Sequence, residues 1–208
     1  MKSNDERLRE LLDYLDGLSY VKSSEIPNIP LYMDQVTTFM DEHLKDSRRP
    51  QDKVLTKTMI NNYAKNNLLP PPVKKKYSKD HMLMLIFIYY FKNLLSFHDI
   101  EEIFRPITGR HFSGDLTGLK LEDIYNEVFR LESGQMARLK EDIGETFRTA
   151  SQTFKDTPVE EEDREYLRLF SFICQLSFDV YLKKQMIEMI ADSLREELGP
   201  EPGKGRKG

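Results

Sequence analysis

Two neighbouring clusters of side chains have the types and spacing to hold a polyanion. Lys57, Thr58, Asn61, Asn62 and Lys65 fall on the outer face of a short helical pattern over residues 57–66, with Met59, Ile60 and Tyr63 turned inward. Asn pairs bidentately with adenine in a major groove, and Lys reaches guanine or phosphate. Adjacent asparagines are poor helix formers, so they mark either a reading face or the frayed end of a short helix. After Pro70, Pro71 and Pro72, which hold the chain extended, Lys74, Lys75 and Lys76 form a basic tip ahead of Tyr77. Each phosphate such a tip neutralises releases counterions. Loop lysines also serve solubility, and these gain weight from lying beside the Asn-bearing helix. The candidate contacts to double-stranded DNA are thus Lys57, Thr58, Asn61, Asn62, Tyr63, Lys65, Lys74, Lys75, Lys76 and Tyr77.

The charge distribution agrees. Between Lys45 and Lys79, ten basic residues, Arg48, Arg49 and Lys53 among them, face only Asp46 and Asp52. That stretch carries +8 in a chain of net charge −4, so the remainder carries −12. Such asymmetry suits a local polyanion contact.

The elements that must position these residues read as mainly α, since no stretch alternates with period two over any length. The 208 residues, 39% of them hydrophobic, can bury a real core. Residues 1–25 hold an N-terminal helix over 5–16, with Leu8, Leu11, Leu12 and Leu15 on one stripe and Gly17 as its stop. Residues 26–110 form the expected DNA-binding domain. Its parts are a proline-punctuated extended connection, a first helix over 33–44, a polar turn over 46–53, the 57–66 helix capped by Thr56, and the basic tip. Ser78 caps an apolar helix over 79–95, and a Ser96/Asp99 capping box opens a further helix through Phe104. Pro106 and the Gly109 to Gly118 region then read as a linker.

Residues 111–198 are the all-helical region. A helix over 121–155 contains Gly134 and Gly144 as possible breaks. Thr157-Pro158-Val159-Glu160 signals the start of another, which runs to Leu198 before Gly199-Pro200. Forty residues at 1.5 Å rise make about 60 Å. A helix this long and apolar buries itself against a second subunit or an antiparallel neighbour, and a homodimer is expected. Residues 199–208 form a disordered tail by composition.

The stretch from Met59 to Pro70 resembles the recognition helix and turn of MerR-type regulators. Ile60, Tyr63, Lys65 and Leu68-Leu69-Pro70 match, with Asn67 in place of a turn glycine. Lys75 and Tyr77 sit where the wing of those proteins carries Arg and Tyr, and residues 96–100 resemble the short helix that follows. IPLYMDQVTTF and LTKTMINNYAKNNLLPPPVKKKY resemble more closely the bacterial domain-of-unknown-function family 1836, over roughly residues 26–110. The resemblance implies a MerR-like winged helix-turn-helix. It departs from the MerR pattern in Asn61, where those helices use arginine, and in a longer loop over 45–55. The cysteines of the metal-sensing members are also missing, so metal sensing does not carry over.

No catalytic, cofactor or metal site is expected. The four histidines lack ligand spacing, and the one cysteine, Cys174, makes no thiolate cluster. No Walker A, GxGxxG or GxSxG pattern occurs. The N-terminus lacks an apolar signal core, and the longest apolar run is far short of the ~20 residues a membrane helix needs. These features lead one to expect a cytoplasmic, non-enzymatic DNA-binding transcriptional regulator. The alternatives are an excisionase-like architectural protein and an interaction module that has lost DNA binding. The sequence leaves a small-molecule effector open.

Overall fold

The computed structural model describes residues 2–45, 54–112 and 118–199. The expected turn over 46–53, with Arg48, Arg49 and Lys53, lies outside them, as do residues 113–117 of the linker and 200–208 of the tail. The described residues form seven α-helices and two short strands: α1 Asn4–Gly17, β1 Leu31–Tyr32, α2 Met33–Leu44, α3 Lys57–Lys65, β2 Lys76–Tyr77, α4 Lys79–Phe91, α5 Phe97–His111, α6 Leu121–Ala150 and α7 Glu161–Leu198. The mainly α expectation stands. The chain divides into two compact units, Met1–Ser19 with Phe129–Lys183, and Tyr20–Val128 with Lys184–Gly208.

The larger unit is built round α4. Every residue from His81 to Tyr89 is buried, as an apolar circumference requires. Ser78 opens α4 in a reciprocal cap in which His81 takes the place usual for Glu or Gln. The His81 N–H donates to Ser78 Oγ at 3.4 Å, the Ser78 N–H donates to Nδ1 at 3.1 Å, and Ser78 Oγ lies 2.7 Å from that nitrogen. Nδ1 is therefore an acceptor and the ring is neutral, with its proton on Nε2. Burial holds the His81 pKa below the ordinary histidine value, outweighing Asp80 and the Pro71 and Pro70 carbonyls. A lowered folded-state pKa means that stability is complete above the unfolded value of about 6.5 and is lost as pH falls below it. The melting temperature is expected to drop as pH falls below about 6.5. This drop should be smaller in His81→Gln, which a thermal melt series read by circular dichroism would measure.

Around α4, the Tyr125 hydroxyl donates to the Val21 carbonyl at 2.6 Å, and its ring meets Phe87 edge-on at 5.4 Å. Lys79 and Glu122 form an ion pair at 2.8 Å. The last turns of α7 dock on α5. Arg195 pairs with Asp99 at 3.2 Å, and Arg105 Nη1 donates to the Gly199 carbonyl at 2.8 Å. In the smaller unit, Phe147 and Ala150 of α6 pack on Phe172 of α7, with Leu8, Ile143, Leu169 and Leu176 around them.

Several boundaries differ from the sequence reading. The apolar helix stops at Phe91, not 95, because Ser96 must be extended to cap α5; a turn with Leu94 and Leu95 bonded to the Phe91 carbonyl makes the switch. Helix α5 does not end at Phe104. It runs through Pro106 to His111, with the Arg105–Glu102 pair at 3.2 Å and Thr108 Oγ1 bonding back to the Phe104 carbonyl at 3.1 Å on either side of the proline. The Gly109 end of the supposed linker is therefore helix. Helix α6 passes unbroken through Gly134 and Gly144 and stops at Ala150 instead of 155. Helix α7 begins at Glu161, since the Val159 N–H bonds the Thr157 carbonyl at 2.9 Å and keeps the Thr157-Pro158 segment in a turn.

Candidate nucleic-acid interface

Helix α3 is short and fixed at both ends. Thr56 Oγ1 accepts from the Met59 N–H at 3.2 Å. At the other end Asn67 is left-handed, with φ +60°. The Leu68 N–H bonds the Tyr63 carbonyl at 2.9 Å and the Asn67 N–H bonds the Ala64 carbonyl at 3.5 Å. Together these make a Schellman stop, with asparagine where glycine is commonest. Leu68 and Leu69 then drop fully into the core. Ile60 and Tyr63 face inward, and the Tyr63 ring meets Phe97 of α5 edge-on at 5.8 Å. Lys57, Thr58, Asn61, Asn62 and Lys65 are all exposed, as the helical period requires. Lys57 forms an ion pair with Asp34 of α2. Both partners are well exposed, so the pair is weak and leaves the lysine available.

The basic tip is a four-residue turn. The Lys76 N–H donates to the Val73 carbonyl at 3.0 Å, and the two central residues, Lys74 and Lys75, have φ of +50° and +63°. Two positive φ values inside such a bond are the signature of a type I′ turn, which favours Asn-Gly. Lysine in that conformation costs about 1 kcal/mol or more per residue. The strain places both ammonium groups on an exposed tip beside Val73, itself 72% exposed. The base of the tip is pinned by antiparallel pairing of β2 with β1, in the register Leu31 with Tyr77 and Tyr32 with Lys76. Lys76 Nζ sits 4.9 Å from the centre of the Tyr32 ring.

Helix α2 packs against both α3 and the two-stranded ribbon, so one scaffold carries both clusters. The sequence-derived set divides in two. Eight of its members present side chains at or near the surface. Tyr63 and Tyr77 do not: they are 2% and 3% exposed, and burial raises both phenol pKa values. Tyr77 packs edge-on to His81 at 5.6 Å. Both tyrosines position their neighbours, which corrects their reading as contacts. Sequence reasoning missed Tyr32 and Val73, exposed beside the lysines. The inward–outward alternation of Leu31 and Tyr32 is too short to register as a strand. Among the described residues no group of three or more His, Cys, Asp or Glu gathers to hold a metal, and no helix is long and apolar enough to cross a membrane.

A family model described as a domain of unknown function, DUF1836, matches residues 21–128, the span whose ends the Tyr125–Val21 hydrogen bond joins. No curated protein and no solved structure matches the chain.

Proposed function

The chain belongs to the DUF1836 family, and from that premise we propose that it is a non-enzymatic, MerR-like winged helix-turn-helix regulator that binds double-stranded DNA in the cytoplasm. In this reading α2 and α3 are the helix-turn-helix, residues 73–77 are the wing, and α3 lies in the major groove. Lys57, Thr58, Asn61, Asn62 and Lys65 face the bases and flanking phosphates. Lys74, Lys75 and Lys76 hold the backbone.

The observation that carries the reading is the Lys74-Lys75 turn. Solubility alone is served by lysine at any exposed position and gives no reason to hold two of them in left-handed backbone. A phosphate contact that depends on where the tip points does give one.

The test separates reading from gripping. After operator selection from a random-sequence pool, Asn61→Ala with Asn62→Ala is expected to flatten base preference at the positions α3 covers. A bidentate Asn–adenine pair carries about 1–3 kcal/mol of discrimination, so preference there should fall roughly tenfold or more. Binding to non-specific DNA should stay close to wild type. Unchanged preference in the double variant would remove α3 from the reading role.

A further inference from the structure

The larger unit holds a cavity of about 910 Å³ that DNA binding does not use. Its walls are the chain just before β1, the first turn of α4, the last two turns of α5 and the start of α6. That volume is in the range of small-molecule sites and far above what a lone ion needs. The apolar part of the wall is aliphatic: Ile29, Pro30, Pro106, Ile107, Leu119 and Ile124 contribute, and no Phe, Tyr or Trp occurs among the described lining residues. Ile29 and Leu119 are 64% and 65% exposed, so two large aliphatic side chains stand uncovered beside the cavity.

The charged residues define the polar end of an occupant. Lys79 and Glu122 neutralise each other in their 2.8 Å pair. Of the other charged side chains in the lining, Arg110 and Lys120 outnumber Asp80, and His111 adds a ring nitrogen. In α5, Pro106 precedes Arg110 by four residues and Ile107 precedes His111 by four. The aliphatic pair therefore lies one turn, about 5.4 Å, from the polar pair on the same face. Lys120 and Ile124 repeat that spacing at the start of α6. In both helices the cation is at the end nearer the α5–α6 connection, and the aliphatic residue is a turn further in.

We infer that this cavity binds an aliphatic carboxylic acid, with the carboxylate toward Arg110 and Lys120 and the chain against Ile29, Ile107, Leu119 and Ile124. A nucleotide would need aromatic surface for its base. A cationic ligand would meet surplus positive charge, and a plain hydrocarbon would give the cations no partner. A second cavity of about 510 Å³ shares Pro30, Ser78, Asp80 and His111 with the first and continues to Val73, Lys74 and Lys76. An occupant of the first thus touches residues that also back the basic tip. This inference goes beyond the DNA-binding proposal and does not rest on it.

Isothermal titration calorimetry of the full chain with decanoate, kept below the concentration at which it forms micelles, tests the site. Wild type is expected to take up one decanoate per chain saturably. It should bind decan-1-ol and acetate at least roughly tenfold more weakly, since each lacks one half of the pattern. Arg110→Gln with Lys120→Gln should lose roughly tenfold or more in decanoate affinity and hold decanoate no better than decan-1-ol. Ile29→Gln with Leu119→Gln should lose a similar factor. All four side chains are exposed, so both variants should keep the wild-type circular dichroism. In methyl NMR spectra decanoate should shift Ile29, Ile107, Leu119 and Ile124. The site is overturned by an absence of saturable binding, by decanoate held no more tightly than decan-1-ol, or by shifts confined to the exposed apolar residues of α7. Wild-type affinity in either folded double variant overturns it as well.

Discussion

Replacing Lys74, Lys75 and Lys76 together by alanine is expected to weaken binding to any double-stranded DNA by about two to three decades near 0.1 M salt. The slope of log affinity against log salt should become shallower by about two to three, because each lost phosphate contact removes close to one released counterion. Fluorescence anisotropy across a salt series reads both quantities. Alanine is no more comfortable than lysine at positive φ, so the variant gains nothing from relief of strain. A second variant makes the assignment stricter. Lys74→Asn with Lys75→Gly supplies the residues a type I′ turn favours and should raise folding stability by about 1 kcal/mol or more. It also removes two charges, so affinity should fall as the melting temperature rises. Affinity that is unaltered in both variants would mean that the tip is not the phosphate contact.

The second large effect belongs to Tyr63. Its side chain is 2% exposed, it packs against Phe97, and its carbonyl accepts both the Leu68 and Leu69 N–H groups, at 2.9 and 3.2 Å. Tyr63→Ala empties a site at the end of α3 and is expected to cost about 3–5 kcal/mol, as buried aromatic truncations do. Chemical denaturation would measure it. Tyr63→Phe keeps the packing, and its DNA affinity should stay within about twofold of wild type if the hydroxyl touches no DNA. A large loss of affinity in a stably folded Tyr63→Phe protein would restore Tyr63 as a direct contact.

The parts that were legible in the sequence are local. Thr56, Ser78 and the Ser96/Asp99 pair cap helices through bonds three residues long. Asn67 was readable as a left-handed stop because few other residues tolerate that backbone. The outward face of α3 follows from Ile60 and Tyr63 alone. Long-range features left no such signal. The ribbon joins Leu31 to Tyr77 through strands two residues long, too brief for a period. Nothing near Arg195 announces that it meets Asp99, where burial raises the carboxyl but the Ser96 bonds and Arg195 more than offset it and hold the pKa low. Pro106 misled because its cost to a helix is real; the bonds on either side of it are tertiary or side-chain in origin and offset the lost one. Tyr63 and Tyr77 entered the contact list by motif position, although the apolar face of α3 already pointed Tyr63 inward.

The docking of α7 on α5 also bears on the order in which the protein is made. The unit that contains α3 and the basic tip draws its outermost clamps from Arg195 and Gly199, some seventy residues after its family segment ends at residue 128. At about 5–20 residues per second, a ribosome needs several seconds to cover that distance. During this interval Asp99 and Arg105 lack these two partners. The unit that carries α3 and the basic tip is therefore clamped only once Arg195 and Gly199 have been made, so a message cut short within α7 yields a lysine-bearing tip on an incomplete scaffold.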